Sequence, residues 1–303
     1  MIRGFFLCLT VLLVGSGMML TGSAQGRKHQ GFSISTGPGK TITDCSQIRV
    51  TMHDGEVMHS EQTQTLPGST SPLQVQAPLN GGIHVQGWKG GDYVIKTCMY
   101  ATGDSVEEAR SVLSQLSLSS SNGRLTVNGP SGGNWVAYLI IQAPNGSVME
   151  MESTNGPIGV SDFSGSVQAR TRNGPISFED ISGQARAEAQ NGPISISGSS
   201  GDIRANAQNG PIGVELSGSR WENGELEAHT QNGPLSLSLP PDYQSAVRVE
   251  ASRHSPVECR AVQCKQAVRT WDRPSIIEFG GPSPVVRMST VNGPVTVSSS
   301  GEK

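Results

Sequence analysis

Residues 155–208 read NGPIGVSDFSGSVQARTR (155–172), NGPISFEDISGQARAEAQ (173–190) and NGPISISGSSGDIRANAQ (191–208), three units of 18 residues that each open on Asn-Gly-Pro-Ile. The triplet Asn-Gly-Pro occurs seven times in the chain, starting at Asn128, Asn155, Asn173, Asn191, Asn209, Asn232 and Asn292. A constant step means one structural unit per period. The step of 23 from Asn209 to Asn232 is the same unit with an insertion around Arg220-Trp221-Glu222-Asn223.

Aligned on the triplet, the units show two apolar columns on each side of it. Before it stand Met149/Met151, Val167/Ala169, Ala185/Ala187, Ile203/Ala205 and Leu226/Ala228; after it stand Ile158/Val160, Ile176/Phe178, Ile194/Ile196, Ile212/Val214 and Leu235/Leu237. Apolar and polar residues alternate, which is the period of a strand with one face buried. Each unit therefore holds two short strands. One turn is Asn-Gly-Pro and the other is marked by Gly165, Gly183, Gly201 and Gly224.

Asn-Gly between alternating strands is also the strongest hairpin signal, and it would give an antiparallel meander. A parallel stack explains more. In a solenoid every unit repeats one path, so like residues lie above one another at about 4.8 Å. Asn155, Asn173, Asn191, Asn209 and Asn232 then form a ladder of side-chain amides. The alanines at 169, 187, 205 and 228 let two sheets approach closely. The expected fold is thus all-β: a parallel β-solenoid of two-strand rungs over 71–300, most regular over 147–240. Outward columns read Glu152, Arg170, Glu188, Asn206, His229 and Glu150, Gln168, Arg186, Arg204, Glu227. Opposite charges alternate in the first column; Arg186 and Arg204 meet as like charges in the second.

Beyond Asn232 the pattern loosens. A strand is expected near 246–250, Ser255-Pro256-Val257 stands where Gly-Pro-Ile would be, and Val286, Met288 and Thr290 restore the inward phase before Asn292. In front, Asn80-Gly81-Gly82 lies between two alternating runs, 73–76 and 83–85. Ser105-Val106-Glu107-Glu108 is a capping box followed by apolar residues at helical spacing, which predicts one short α-helix over 105–116. The segment 25–70 holds a strand at 48–52 and a polar loop.

The first 24 residues have the grammar of a signal peptide: Arg3, an apolar run over 5–14, and Gly22-Ser23-Ala24 before Gln25. The apolar run is too short for a membrane span, and none is expected in the mature chain. Cleavage removes one basic residue and no acidic one, moving the net charge from −3 to −4. Nucleic acid, which needs a basic footprint, is not an expected partner. Four cysteines remain, and an even count in an oxidising compartment predicts disulfides. Cys259 and Cys264 are close in sequence and pair locally, which leaves Cys45 for Cys98. The alternative is a zinc site using His254, for which the spacing is loose.

Residues for chemistry are few. Asp162 and Asp180 share a turn column and would stand about one strand spacing apart, near the separation of a retaining glycosidase pair. The next unit has Gly198 there, and no aromatic or basic sugar platform accompanies the two acids. His53 and His59 flank Asp54 and Glu56 in what reads as an exposed loop. No nucleophile elbow, phosphate loop or dinucleotide fingerprint occurs. No catalytic residue, metal site or cofactor is expected. Two facing sheets about 10 Å apart fill the interior with their own side chains, so function must use the outside. Trp88, Trp135, Trp221 and Trp271 are the aromatic candidates, Trp221 first because it sits in the inserted turn. Arg170, Arg186 and Arg204 are the candidate charged contacts.

The run 79–88 (LNGGIHVQGW), the acidic helix over 104–116 and the closing STVNGPV of 289–295 resemble the bacterial β-strand-repeat family labelled "putative adhesin". The resemblance covers roughly 73–298. It implies a right-handed solenoid and an envelope location, and it carries no catalytic residues. The expected role is a non-catalytic, exported, adhesin-like binding or scaffold protein. Its expected partner is a cell-envelope polymer or protein, in the periplasm, at the cell surface or outside the cell. A polysaccharide-active enzyme and an envelope-stress component are the alternatives.

Overall fold

A computed structural model describes residues 32–36, 41–52, 56–132, 134–252, 255–270 and 275–301. The expected signal peptide, His53, Asp54, His254 and Trp271 lie outside the described residues. Among the described residues no helix is long and apolar enough to cross a membrane.

Over the described residues the protein is all-β with one α-helix. Twelve strands form one sheet, eleven form a second, and a separate pair joins Phe32–Thr36 to Ile48–Met52. Most strands in the two large sheets pair in parallel. Each 18-residue unit gives one strand to each sheet, and like positions pair directly: Ile158 with Ile176, Ile194 and Ile212 in turn, and Val167 with Ala185 and Ile203. This excludes the meander. The first sheet is lined inside by Met149, Met151, Val167 and the alanines, the second by isoleucine, valine, leucine and Phe178, all buried. We call them the alanine sheet and the isoleucine sheet.

The turn between them is tied in two ways. Asparagine amides run in one direction along the stack. Asn155 donates to Asn80 (2.9 Å), Asn173 to Asn155 (2.7 Å), Asn191 to Asn173 (2.9 Å), Asn209 to Asn191 (3.0 Å), Asn232 to Asn209 (2.9 Å) and Asn292 to Asn232 (2.9 Å). Beneath them, buried hydroxyls hold the turn glycines: Ser153 and Thr171 accept from the N–H of Gly156 and Gly174. The glycines themselves are required for closeness. None of Gly156, Gly174, Gly192, Gly210, Gly233 and Gly293 has a positive φ, but a Cβ at each would lie 1.8–2.1 Å from the carbonyl oxygen of the glycine in the adjacent rung. Within the rungs from Asn155 to Asn232, positive φ falls in the second turn, at Asp162 (52°), Asp180 (50°), Gly198, Gly201, Gly218, Asn223 and Gly224.

The ends depart from chain order. Val286–Thr290 pairs directly with Leu226–Thr230, and Val295–Ser299 with Leu235–Leu239. The preceding strands, Val247–Ala251 and Val257–Cys259, are pushed one place outward. The front mirrors this. Leu73–Gln76 and Ile83–Trp88 pair with Val148–Ser153 and Ile158–Ser161, while the later strands Arg124–Asn128 and Trp135–Pro144 lie outside them. The units that lie inside carry Asn80 and Asn292, which join the asparagine ladder. Antiparallel strands form three of the four outer edges: Asp92–Gly103 with Glu56–Pro67 and Ser117–Ser121 in front, and Ser275–Phe279 with Val268–Thr270 behind the alanine sheet; the parallel strand Val257–Cys259 is the fourth. Such closure occupies otherwise open sheet edges.

The helix spans Val106–Leu113, shorter than expected at its C-terminal end, with Ser105 as N-cap accepting from Glu108 N–H. It packs on Asp92–Gly103 and Glu56–Pro67. Cys45–Cys98 and Cys259–Cys264 are disulfides, with Cα separations of 5.5 and 5.8 Å. The first pins Ile42, Cys45 and Ile48 onto the outside of the isoleucine sheet, where they form a small second core with Tyr100, Val136, Tyr138 and Ile140. Lys96 and Asp44 reinforce it with an ion pair at 2.7 Å.

Candidate functional site

The outer face of each strand carries the residues that the inner packing leaves over. On the alanine sheet these are charged and largely matched. Arg170 bonds Glu188 at 2.9 Å and lies 3.9 Å from Glu152; Arg186 bonds Glu188 at 2.6 Å. Burial works against the Glu188 charge, but the bonds from Arg170 and Arg186 outweigh it and hold the carboxyl below its ordinary range. Arg186 thus turns along its own strand to Glu188 and away from Arg204, which approaches Glu227 at 3.9 Å. The three candidate arginines are engaged with carboxylates of the same face. Exposed pairs of this kind contribute about 0–1 kcal/mol each.

Trp221 corrects the sequence reading. The indole is 6% exposed, its N–H donates to Gly201 O at 2.9 Å, and its backbone N–H donates to Ser245 Oγ at 3.0 Å. The inserted turn folds back over the stack, so Trp221 closes a local cluster and offers no contact surface. Trp88 and Trp135 are half-buried, each donating to a nearby carbonyl, Asp92 O and Pro130 O. Asp162 and Asp180 hold left-handed turn positions, a conformation aspartate tolerates, and Gly198 fills the same column with φ 145°. Gln86 donates to Asp162 at 3.3 Å. His59, expected in an exposed loop, lies instead on the strand Glu56–Pro67, exposed beside Tyr100, because that segment pairs along Asp92–Gly103. Among the described residues, no group of three His, Cys, Asp or Glu side chains could hold a metal ion.

The isoleucine sheet is different. Its outward columns run His84, Gly159, Ser177, Ser195, Gly213, Ser236, Thr296 and Gln86, Ser161, Glu179, Ser197, Glu215, Ser238, Ser298. Small side chains leave a shallow groove of about 710 Å³ across the strands. From His84 to Ser298 it crosses six strand spacings, roughly 29 Å at 4.8 Å each. Its head is lined by Ile42 of the disulfide-pinned N-terminal segment and by Tyr138, His84 and Ser161.

Those three residues are buried yet line open space: Tyr138 is 2%, His84 7% and Ser161 2% exposed. Neighbouring glycines make this possible. A Cβ at Gly82 would strike the Tyr138 ring at 2.3 Å, and one at Gly159 would lie 2.7 Å from His84 Nδ1. Each ring thus takes up space that a side chain on the adjacent strand would fill. His84 Nε2 stands 3.5 Å from Ser161 Oγ, the outer limit of a hydrogen bond. Sequence reading missed this cluster. Its trace was a histidine at an outward position facing a glycine, Gly159, inside a strand.

Burial pushes the His84 pKa down from 6.5 to about 4, against a smaller upward pull from the Asp162 carboxylate. Between those values the unfolded chain takes up a proton that the folded chain refuses. Stability from neutral His84 is therefore complete above about pH 6.5 and is lost as pH falls through about 4. Replacing His84 with Gln should flatten the fall in unfolding free energy across that window, by up to about 3 kcal/mol. Urea unfolding at stepped pH checks this; parallel pH slopes for the two proteins would contradict it.

No family model matches the chain, and no curated protein matches it. Solved structures do. A protein described as a "putative adhesin" from Parabacteroides merdae aligns at 9% identity and TM-score 0.36, over 79% of this chain and 95% of that one. A "putative cell adhesion protein" from Clostridium sporogenes aligns at 9% identity and TM-score 0.32, over 80% and 100%. A "putative lipid binding protein" from Parabacteroides distasonis aligns at 10% identity and TM-score 0.32, over 81% and 98%. Similarity this low leaves function to be read from the chain's own residues.

Proposed function

We propose that the protein is a non-catalytic, extracytoplasmic binding protein, built as a right-handed β-solenoid, that holds an envelope polymer along the outer groove of the isoleucine sheet. The groove carries this reading: it is continuous across successive rungs, and the interior behind it is filled by Ile158, Ile176, Phe178, Ile194 and their neighbours. A rigid stack presents the same weak contact at each rung, and repeated weak contacts sum to useful avidity. The handedness follows the general preference of parallel crossover connections. Two disulfides favour an oxidising compartment outside the cytoplasm.

Co-sedimentation of the purified chain with isolated envelope polymer tests this. The comparison is Ser195→Trp, which fills the middle of the groove from an exposed position. The parent chain should sediment with the polymer and release no soluble sugar, and the variant should stay in solution while melting at the same temperature. Equal sedimentation of both, no sedimentation of the parent, or release of sugar would overturn the reading.

A further inference from the structure

The groove has a direction. At the far end its lining runs out at Ser298, beside the outer strand Val257–Cys259; at the near end it is lined by Ile42, Tyr138, His84 and Ser161. A polar group buried without good partners costs free energy, so such groups are normally satisfied. Among the described residues, His84 has only the long contact to Ser161. A buried histidine and a buried serine thus line a groove with hydrogen-bonding capacity left over. With the imidazole neutral, one ring nitrogen donates and the other accepts, while the serine hydroxyl does both.

The rest of the lining limits what can lie there. It includes the carboxylates Glu179 and Glu215 and no lysine or arginine. Both carboxylates face outward in one column with Ser197 between them, so they stand two strand spacings apart, about 10 Å. A phosphorylated or carboxylated chain would meet these charges with nothing to offset them. An acyl chain would meet serine hydroxyls and lose their hydration. A polyhydroxylated chain fits, because sugar hydroxyls donate to carboxylates and exchange hydrogen bonds with serines. A β-1,4-linked pyranose chain also advances per ring by a length close to the strand spacing of about 4.8 Å, so successive rings meet successive rungs.

We propose that the groove binds an uncharged linear glycan lying across the strands, with its terminal ring held by His84 and Ser161 beside Tyr138. This rests on the reading of the groove as the binding face, and it adds the ligand class and the polarity of binding. The glycines that admit the two rings, Gly82 and Gly159, become specificity features of the site.

Isothermal titration of the full chain with cellohexaose, with N-acetylchitohexaose and with hexagalacturonate, the anionic control, tests it. At least one neutral hexamer should bind, a dimer of the same sugar should bind at least ten-fold more weakly, and the anionic hexamer should not bind. His84→Phe should weaken binding of the neutral hexamer at least ten-fold. Ser161→Ala, which removes one oxygen and leaves the packing in place, should weaken it several-fold. Loss with Ser195→Trp but full binding by both His84→Phe and Ser161→Ala would keep the groove and overturn recognition at its head. Full binding by all three variants would overturn the groove as well. No binding of either neutral hexamer, or equal binding of the anionic one, would overturn the ligand class.

Discussion

Gly192→Ala should lower the stability of the chain by about 3 kcal/mol or more, and its melting temperature by roughly 10 °C. The new Cβ would stand 1.9 Å from Gly174 O and 2.7 Å from Gly174 C, both backbone atoms. Those atoms cannot retreat singly. The turn is held to the previous rung by Asn191 N–H on Arg172 O at 2.8 Å and by Ile176 N–H on Pro193 O at 3.0 Å, and by the asparagine amides outside it. Moving one rung outward therefore breaks several bonds together. Gly213→Ala is the control. That glycine lies in a strand of the same stack, and the nearest atom to its new Cβ is Ser236 Oγ at 3.4 Å. It should be neutral within about 1 kcal/mol, since alanine also narrows the unfolded ensemble. Thermal melts of the two variants side by side decide the matter; equal effects would refute close stacking as the reason for the Asn-Gly-Pro glycine.

Phe178→Ala should cost about 3–5 kcal/mol, while Phe178→Leu should cost a fraction of that. Phe178 is 1% exposed and stands in the inner column between Val160 and Ile196 of the neighbouring strands. Its ring fills space between two sheets whose spacing is held by rungs above and below. The site cannot collapse onto the smaller side chain without tilting those rungs, so a cavity remains and adds to the lost transfer energy. Denaturant unfolding should show a lower midpoint. A loss under about 1 kcal/mol for Phe178→Ala would mean that the sheets close freely over the gap, contrary to a core set by backbone stacking.

Much of the regular part was legible in the chain. Alternation over Val167–Ala169 and Ile176–Phe178 marked inward positions, and the same period placed Arg170 against Glu188 in adjacent strands. Both disulfides followed from the spacing of Cys259 and Cys264. The candidate site was far less legible. Trp221 looked exposed because it sits in an insertion, yet an indole with a backbone acceptor within reach is better buried. The groove arises from outward residues that do nothing individually: Gly159, Ser177, Ser195 and Gly213 are ordinary turn-forming or solvent-facing types until a sheet sets them in one line. His84 lies 77 residues from Ser161, and only the pairing of Ile83–Trp88 with Ile158–Ser161 brings them together.

By itself the sequence determined the unit: two strands per 18 residues and which side chains face inward; it favoured parallel register, and the observed pairing decided that against the meander. Those properties are local, because a period of two sets the face and a constant step sets the repeat. Only the tertiary structure decided which unit neighbours which at the two ends. There the units carrying Asn80 and Asn292 move inside and antiparallel strands form three of the four outer edges, because the hydrogen-bonding needs of a sheet end are met by distant chain. It decided the groove for the same reason. A surface is a property of strands side by side, and its shape depends on contacts between residues that the chain keeps far apart.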